Sequence, residues 1–222
     1  MSTKVFHEED SLERILHFLQ KHQNKILIAV SSIVLLIVGF YGYNEYVKKP
    51  NEEKAADALF KSQQYFTIDS ARLVLNGDGT SKGALYVIRT FSGTKAANLA
   101  KYYAGISYLH LGEFANAIKY LEDFSTDAPQ IQLLAFGNLG DAYSELNKKE
   151  QAVEYYLKAS HHFEKDESNS AEYLFRAALL QETSGKTKEA LELYKELKEK
   201  FPKTEKGYQA DKYINRLSIE KE

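Results

Sequence analysis

The feature that most constrains this chain is the run KILIAVSSIVLLIVGFYGY at residues 25–43, which carries no charge from Ile26 to Tyr43. As a helix rising ~1.5 Å per residue it covers roughly 27 Å, close to the ~30 Å hydrocarbon thickness of a bilayer. Ser31 and Ser32 are tolerable there, because a helical serine can bond a carbonyl one turn back. Tyr41, Tyr43 and Tyr46 follow, and amphipathic rings favour the headgroup level. A cleaved leader fits poorly, since 24 residues precede the run and no small-x-small site follows it. Nothing else in the chain has the hydrophobicity to bury it as a core helix. The reading is a retained span over 25–46, with a cytoplasmic segment at 1–24 and a soluble domain at 47–222. Lys4, Arg14, Lys21 and Lys25 before the span outnumber Lys48, Lys49 and Lys54 after it, a lean toward the N-terminus inside that charge alone does not decide.

The segment SLERILHFLQKHQ at 11–23 puts Leu12, Ile15, Leu16 and Leu19 on one helical face, with Ser11 as a candidate N-cap. Two readings stay open: a short helix on the membrane or against a partner, or a plain continuation of the anchor.

Across 222 residues there are no cysteines, no tryptophans and a formal charge of −2, with only three prolines and sixteen tyrosines. That excludes thiol chemistry and disulfides, and offers no electrostatic basis for nucleic-acid binding. Proline scarcity prompts a search for repeats. AGISYLHLGEFANAIKYLEDFSTDAP (104–129), LGDAYSELNKKEQAVEYYLKAS (139–160) and AALLQETSGKTKEALELYKELKEKFP (177–202) align on Gly112, Asn147 and Gly185. Ala117, Ala152 and Ala190 follow five residues on, then Leu121, Tyr156 and Tyr194 four later. The two steps are 35 and 38 residues, which suggests an insertion in EKDESNS at 164–170.

This spacing is a helix–turn–helix. Glycine or asparagine takes the left-handed turn, alanine admits the second helix closely, and the large residue fills the seam. Pro129 and Pro202 are expected to stop their helices. These residues, with Gly105, Tyr108, Phe136, Gly140 and Tyr143, resemble the tetratricopeptide repeat. The expected fold is all-α: one N-terminal transmembrane helix, then a tetratricopeptide α-solenoid with a C-terminal capping helix. Units fall at about 55–94, 98–131, 133–166 and 171–204, with a cap at 205–219 carrying Ala210, Tyr213, Ile214 and Leu217. The first unit is a fainter copy in which Gly77 is the turn and Tyr86 the seam residue, its first helix beginning at Ala55, Ala56, Leu59 and Phe60.

NGDGTSKG at 76–83 lacks the order of a phosphate loop and reads as an inter-helix turn, with Thr80 or Ser81 capping the next helix. Thr94 is a second candidate cap. His161 and His162 point to different helical faces and have no metal-ligand spacing. No catalytic, cofactor or metal residues are assigned.

Repeat stacks bind along the concave face of their first helices, and the register projects Tyr102, Ile106, Leu109, Leu134, Asp141, Phe175 and Leu179 there, some of which can instead pack between helices. The expected groove is apolar with few charges. A carboxylate clamp uses Lys, Asn, Asn, Lys and Arg where this chain has Tyr102, Ile106, Asn138, Glu172 and Arg176; two of the five match and an acid stands in place of a required base, which disfavours that mode.

The acidic start, LERILHFLQKHQNK before a single span, the tyrosine-rich exit and the repeats after it together resemble the YfgM-like ancillary subunit of the bacterial SecYEG translocon. GTKAANLAKYYAGISYLHLGEFANAIKYL (93–121) is especially similar to Bacteroidetes-type versions. The resemblance implies an inner-membrane, single-pass protein with a cytoplasmic N-terminus and periplasmic repeats. It implies a non-enzymatic adaptor at the Sec channel, holding a periplasmic chaperone or a translocating chain, without cofactor, nucleic acid or small-molecule substrate. An envelope-assembly or cell-wall scaffold of the same topology is the alternative.

Overall fold

The computed structural model describes residues 5–219, and side chains from Leu12 onward. Residues 1–4, part of the expected cytoplasmic segment, lie outside the described residues. Two compact units divide at Asn51 and Glu52. The first is dominated by α1 (Val5–Tyr43), 39 residues without interruption. Ser11, expected as an N-cap, lies inside this helix, so residues 11–24 continue the same helix as the apolar run. Within the apolar stretch Ser32 Oγ donates to the Ile28 carbonyl at 2.8 Å, so its hydroxyl is satisfied locally. A π-helical turn at Asn44–Lys48 follows, where the Lys49 N–H reaches back to the Asn44 carbonyl. Pro50 explains that widening: in a regular α-helix its ring would press on the Tyr46 carbonyl.

The second unit is built from α2 (Lys49–Thr67, of which residues from Glu52 belong to it), α3 (Ala71–Asn76), α4 (Ala84–Thr90), α5 (Lys95–His110), α6 (Phe114–Glu122), α7 (Pro129–Glu145), α8 (Lys149–His162), α9 (Glu167–Thr183), α10 (Thr187–Lys200) and α11 (Glu205–Ile219). From α5 onward each helix packs antiparallel against the next, and α5, α7 and α9 also contact the helix two further on. We call α5, α7, α9 and α11 the A helices. The B helices α8 and α10 are linked by long side chains: Lys186 to Glu150, His161 to Glu196 and Lys200 to Glu164. Direct A-to-A contact places the A helices on the inner side of the stack.

The turns follow from backbone freedom. Gly112, Asn147 and Gly185 have φ of 74°, 56° and 76°, the left-handed region that glycine and asparagine enter at least cost. Beside each turn the seam closes by removing a side chain. A Cβ on Gly105 would lie 2.5 Å from Leu121 Cγ, and one on Gly140 would lie 2.4 Å from Tyr156 Cδ1. Ala117, Ala152 and Ala190 are fully buried, as is Tyr194. Buried tyrosines need a partner for the hydroxyl. Tyr143 donates to Glu122 at 2.6 Å, Tyr156 to Asp141 at 2.8 Å and Tyr194 to Glu182 at 2.9 Å.

Three expectations are corrected. Pro129 starts a helix: it occupies the first turn of α7, where its missing N–H has no intrahelical role. Pro202 does lie just beyond α10. The longer repeat step is no loop insertion. The A helices begin at Lys95, Pro129, Glu167 and Glu205, steps of 34 and then twice 38, and the extra residues lengthen α8 and α10 to 14 residues against 9 in α6. Residues 55–94 form no simple helix pair. Asp69, at φ 52°, ends the turn after α2, and α3 and α4 are short pieces flanking a loop. Val87 is fully buried there while Tyr86 is half-buried, so valine takes the seam.

The seam makes a stability prediction. Gly140→Ala forces Tyr156 off its position and should cost about 1–3 kcal/mol, the usual range for overpacking a filled core. Urea titration of the full-length protein in detergent, followed by circular dichroism, should show an earlier midpoint than for Ala115→Gly on the exposed face of α6.

Candidate protein-binding face

Along the inner side, Leu109 and His110 of α5, Asp141, Ser144 and Glu145 of α7, and Arg176 of α9 edge an open hollow of about 510 Å³, with Tyr156 also lining it. Its charges are tied to one another. Asp141 Oδ1 accepts from Tyr156 at 2.8 Å and from Arg176 Nη1 at 2.6 Å. Arg176 Nε donates to Glu172 Oε1 at 2.8 Å, and Lys206 Nζ of α11 lies 3.4 Å from Glu172 Oε2. The ladder therefore crosses from α7 through α9 to α11. Aromatic faces flank it: the Arg176 guanidinium sits 5.4 Å from the Tyr173 ring centre and Lys206 Nζ 4.6 Å from that of Phe175.

Protonation follows from these neighbours. Burial by itself would raise the Glu172 carboxyl, but the hydrogen bond and charge of Arg176, joined by Lys206, hold it below the usual carboxylate range. Burial opposes the charge on Arg176 too, and Glu172 and Asp141 overcome it, raising its pKa. Tyr173 is pushed up to about 12, chiefly by burial and then by the Asp141 charge. Tyr156 is raised by burial and by the Asp141 carboxylate that accepts its hydrogen bond.

The sequence-projected residues divide. Leu109 and Asp141 edge the hollow. Leu179 is exposed at the surface of α9, and Leu134 is half-buried on α7. Tyr102 is half-buried, its ring 5.2 Å from that of Phe124. Ile106 and Phe175 are core residues, each only 7% exposed. Phe175 packs 5.2 Å from the Tyr213 ring, so a charge there would break the stack of α9 on α11 before it reported on binding. The expectation of an apolar groove with few charges gives way to a hollow edged by Leu109 and by a charged ladder. Sequence register placed Glu172 and Arg176 one turn apart; nothing in it showed that Asp141, 35 residues away, would join them.

A second recess was not anticipated. Ala56 and Leu59 of α2 with Ala96 and Leu99 of α5 form an apolar trough bordered by Glu52, Glu53 and Lys95. Glu52 accepts from the Lys95 N–H at 2.9 Å and Thr94 from the Ala97 N–H at 3.0 Å, so α5 carries the expected threonine cap and an added carboxylate. The alanine–leucine spacing at 55–60 was the available signal.

The remaining candidate sites have other roles. Thr80 and Ser81 do not cap α4, which starts after Gly83 without a side-chain cap. Both bond Asp78 Oδ1, and Tyr65 donates to Asp78 Oδ2 at 2.7 Å. The Ser81 N–H foremost, then the Tyr65 hydroxyl, hold the Asp78 carboxyl well below its ordinary value. The loop is thus closed on itself by its own aspartate. His161 pairs with Glu196 at 2.8 Å, and His162 meets the Phe136 ring edge-on, so the two diverge.

Comparison with protein families agrees with this geometry. Tetratricopeptide-repeat models match residues 99–130, 134–160 and 172–204. These intervals cover most of α5–α6, α7–α8 and α9–α10 in turn, so the chain carries three tetratricopeptide repeats. No curated protein matches the chain closely enough to stand as a relative.

The ladder predicts an acid dependence. Glu172 has a depressed folded-state pKa, so its contribution is complete above the unfolded value near 4.5 and is lost as pH falls below that and through the lower folded value. Thermal melts between about pH 6 and pH 3 should show declining stability, with a shallower decline for Glu172→Gln. Identical slopes for the two proteins would remove the ladder from the acid response.

Proposed function

We propose that this chain is a non-enzymatic, membrane-anchored adaptor that captures protein segments on the A-helix face of its repeats. The observation that carries the reading is the pairing of two features in one chain. Three tetratricopeptide units share one continuous face, and α1 is long and apolar enough to cross a membrane, with none of its apolar window buried. Leu27, Leu35, Leu36 and Phe40 are 67–73% exposed, an apolar surface far beyond what a soluble monomer carries but natural against lipid. Residues 26–43 would cross the inner membrane, with the N-terminus cytoplasmic and the repeats periplasmic.

The resemblance to a Sec-translocon ancillary subunit supplies the direction of the partner. The span would sit beside the protein-conducting channel while the repeats hold a periplasmic chaperone or a translocating chain. Binding would use the leucine borders, Leu109, Leu134 and Leu179, with the Asp141–Arg176 ladder between them. Its titratable groups satisfy one another rather than converging on a reacting centre, which favours recognition over chemistry. Tethering makes modest contacts sufficient, because a partner held at the same membrane meets the face at high effective concentration.

The test is a mild-detergent pull-down with mass spectrometry of three proteins: the full chain, residues 47–222 alone, and the full chain with Leu109→Asp and Leu179→Asp. Channel subunits and a periplasmic chaperone should accompany the full chain. The fragment should keep the chaperone only, and the double variant the channel only. Recovery of cell-wall or outer-membrane assembly proteins in place of both would transfer the same architecture to an envelope scaffold.

A further inference from the structure

The uncharged run accounts for only the C-terminal half of α1. The helix has 39 residues, about 58 Å at ~1.5 Å each, against ~30 Å of hydrocarbon. The part before Lys25 therefore extends out of the bilayer as the same helix. It carries Leu12, Ile15, Leu16, Phe18 and Leu19, each 44–58% exposed. Spanning helices tilt by roughly 20°, and up to about 40°. A stripe on the same unbroken axis cannot lie in the membrane plane, which removes the lipid surface as its cover. An apolar stripe in water beside a membrane calls for a protein.

The pattern specifies which one. Leu12, Ile15, Leu19, His22 and Ile26 are spaced alternately by three and four residues, the seam of a coiled coil. The same alternation continues without a phase break through Ala29, Ile33, Leu36 and Phe40 inside the span. The outward positions before the span are Glu13, Arg14, His17, Gln20, Lys21 and Asn24, all polar. Charges are thus kept off the seam, and in a parallel pair the flanking neighbours Phe18–Gln23 and Lys25–Val30 set no like charges together. A partner must match this seam in water and in lipid, at one depth and one orientation. A second copy meets all of these by symmetry.

We propose that copies of this chain pack in parallel along α1, as a coiled coil that starts near Leu12 and continues into the bilayer. His22 is the polar residue of the seam and sets its register, its ring lying 4.8 Å from that of Phe18 in the same helix. The inference rests on the reading of residues 26–43 as a span and is independent of what the repeats bind.

The chain has no cysteine, so a single introduced cysteine reports one position. In membranes carrying the full-length protein, oxidised Leu12→Cys, Leu19→Cys and Ile26→Cys should form a species of twice the 25.3 kDa chain mass. Its yield should exceed that from His17→Cys and Asn24→Cys by at least about fivefold, the contrast a fixed seam imposes. Adding Ile15→Glu to Ile26→Cys should cut the yield by a similar factor, while adding Gln20→Glu leaves it unchanged. Equal yields at all five positions would mean random collision and overturn the proposal. Cross-links to a different protein would overturn it in favour of a heterologous partner. Alkaline carbonate extraction of the same membranes separates the failures: release of the protein overturns the span, and the coiled coil with it, whereas retention without cross-links overturns the coiled coil alone.

Discussion

Everything in the repeat domain depends on one close approach, a large B-helix side chain set against an A-helix position that has almost none. Leu121 fits against Gly105 and Tyr156 against Gly140, at distances a single added carbon would violate. In the third unit Tyr194 and Ala178 are both fully buried in one cluster. Helices held this close leave no room for water, so each seam buries apolar surface on both sides and fixes the angle at which the next unit arrives. The turn residues are secondary to this. Gly112, Asn147 and Gly185 permit the reversal, but only the seam makes the reversed helices adhere.

Choosing tyrosine for the seam has consequences beyond packing. A buried phenol must donate a hydrogen bond, and Tyr156 gives one to Asp141. A carboxylate drawn to that position then attracts Arg176, whose Nε meets Glu172, which in turn is approached by Lys206. The charge pattern of the inner face is therefore anchored in the core. A substitution at Tyr156, which is itself almost wholly buried, would therefore alter the charge pattern of the inner face. Tyr194 repeats the arrangement one unit on: its hydroxyl bonds Glu182, which Arg216 of the capping helix also engages.

The parts of this fold that were legible in sequence are those governed by short-range chemistry. Three turn residues, three alanines and three large residues at constant offsets are enough to read a helical hairpin, because backbone freedom and side-chain volume act locally. Thr94 could be read as a cap for the same reason. What escaped needed information from elsewhere in the chain. Pro129 is compatible with either end of a helix, and only the length of the preceding linker decides. The first unit kept its glycine at 77 but lost the alanine, and without a small residue the helices fragment around Asp69 and the Asp78 loop. Ile106 and Phe175 occupy binding positions in the repeat register, yet neighbouring helices cover them. The Asp141–Arg176 pair joins residues 35 apart, and periodicity carries no trace of that partnership.

A face whose charges are already paired constrains how it can bind. Arg176 already meets a carboxylate of its own helix and one from α7, so an incoming carboxylate would find its charge balanced and gain less than at an unpaired arginine. The leucines at the borders offer contact without that cost, but they are few, and a few partly exposed leucines support only weak affinity. Weak capture becomes useful when the partner cannot diffuse away. The proposed anchor would supply that condition, and a paired anchor would strengthen it, since two faces on one assembly convert a second contact into an intramolecular event. On the proposed function the long apolar helix and the self-satisfied groove would be complementary: the first would set the local concentration that the second requires.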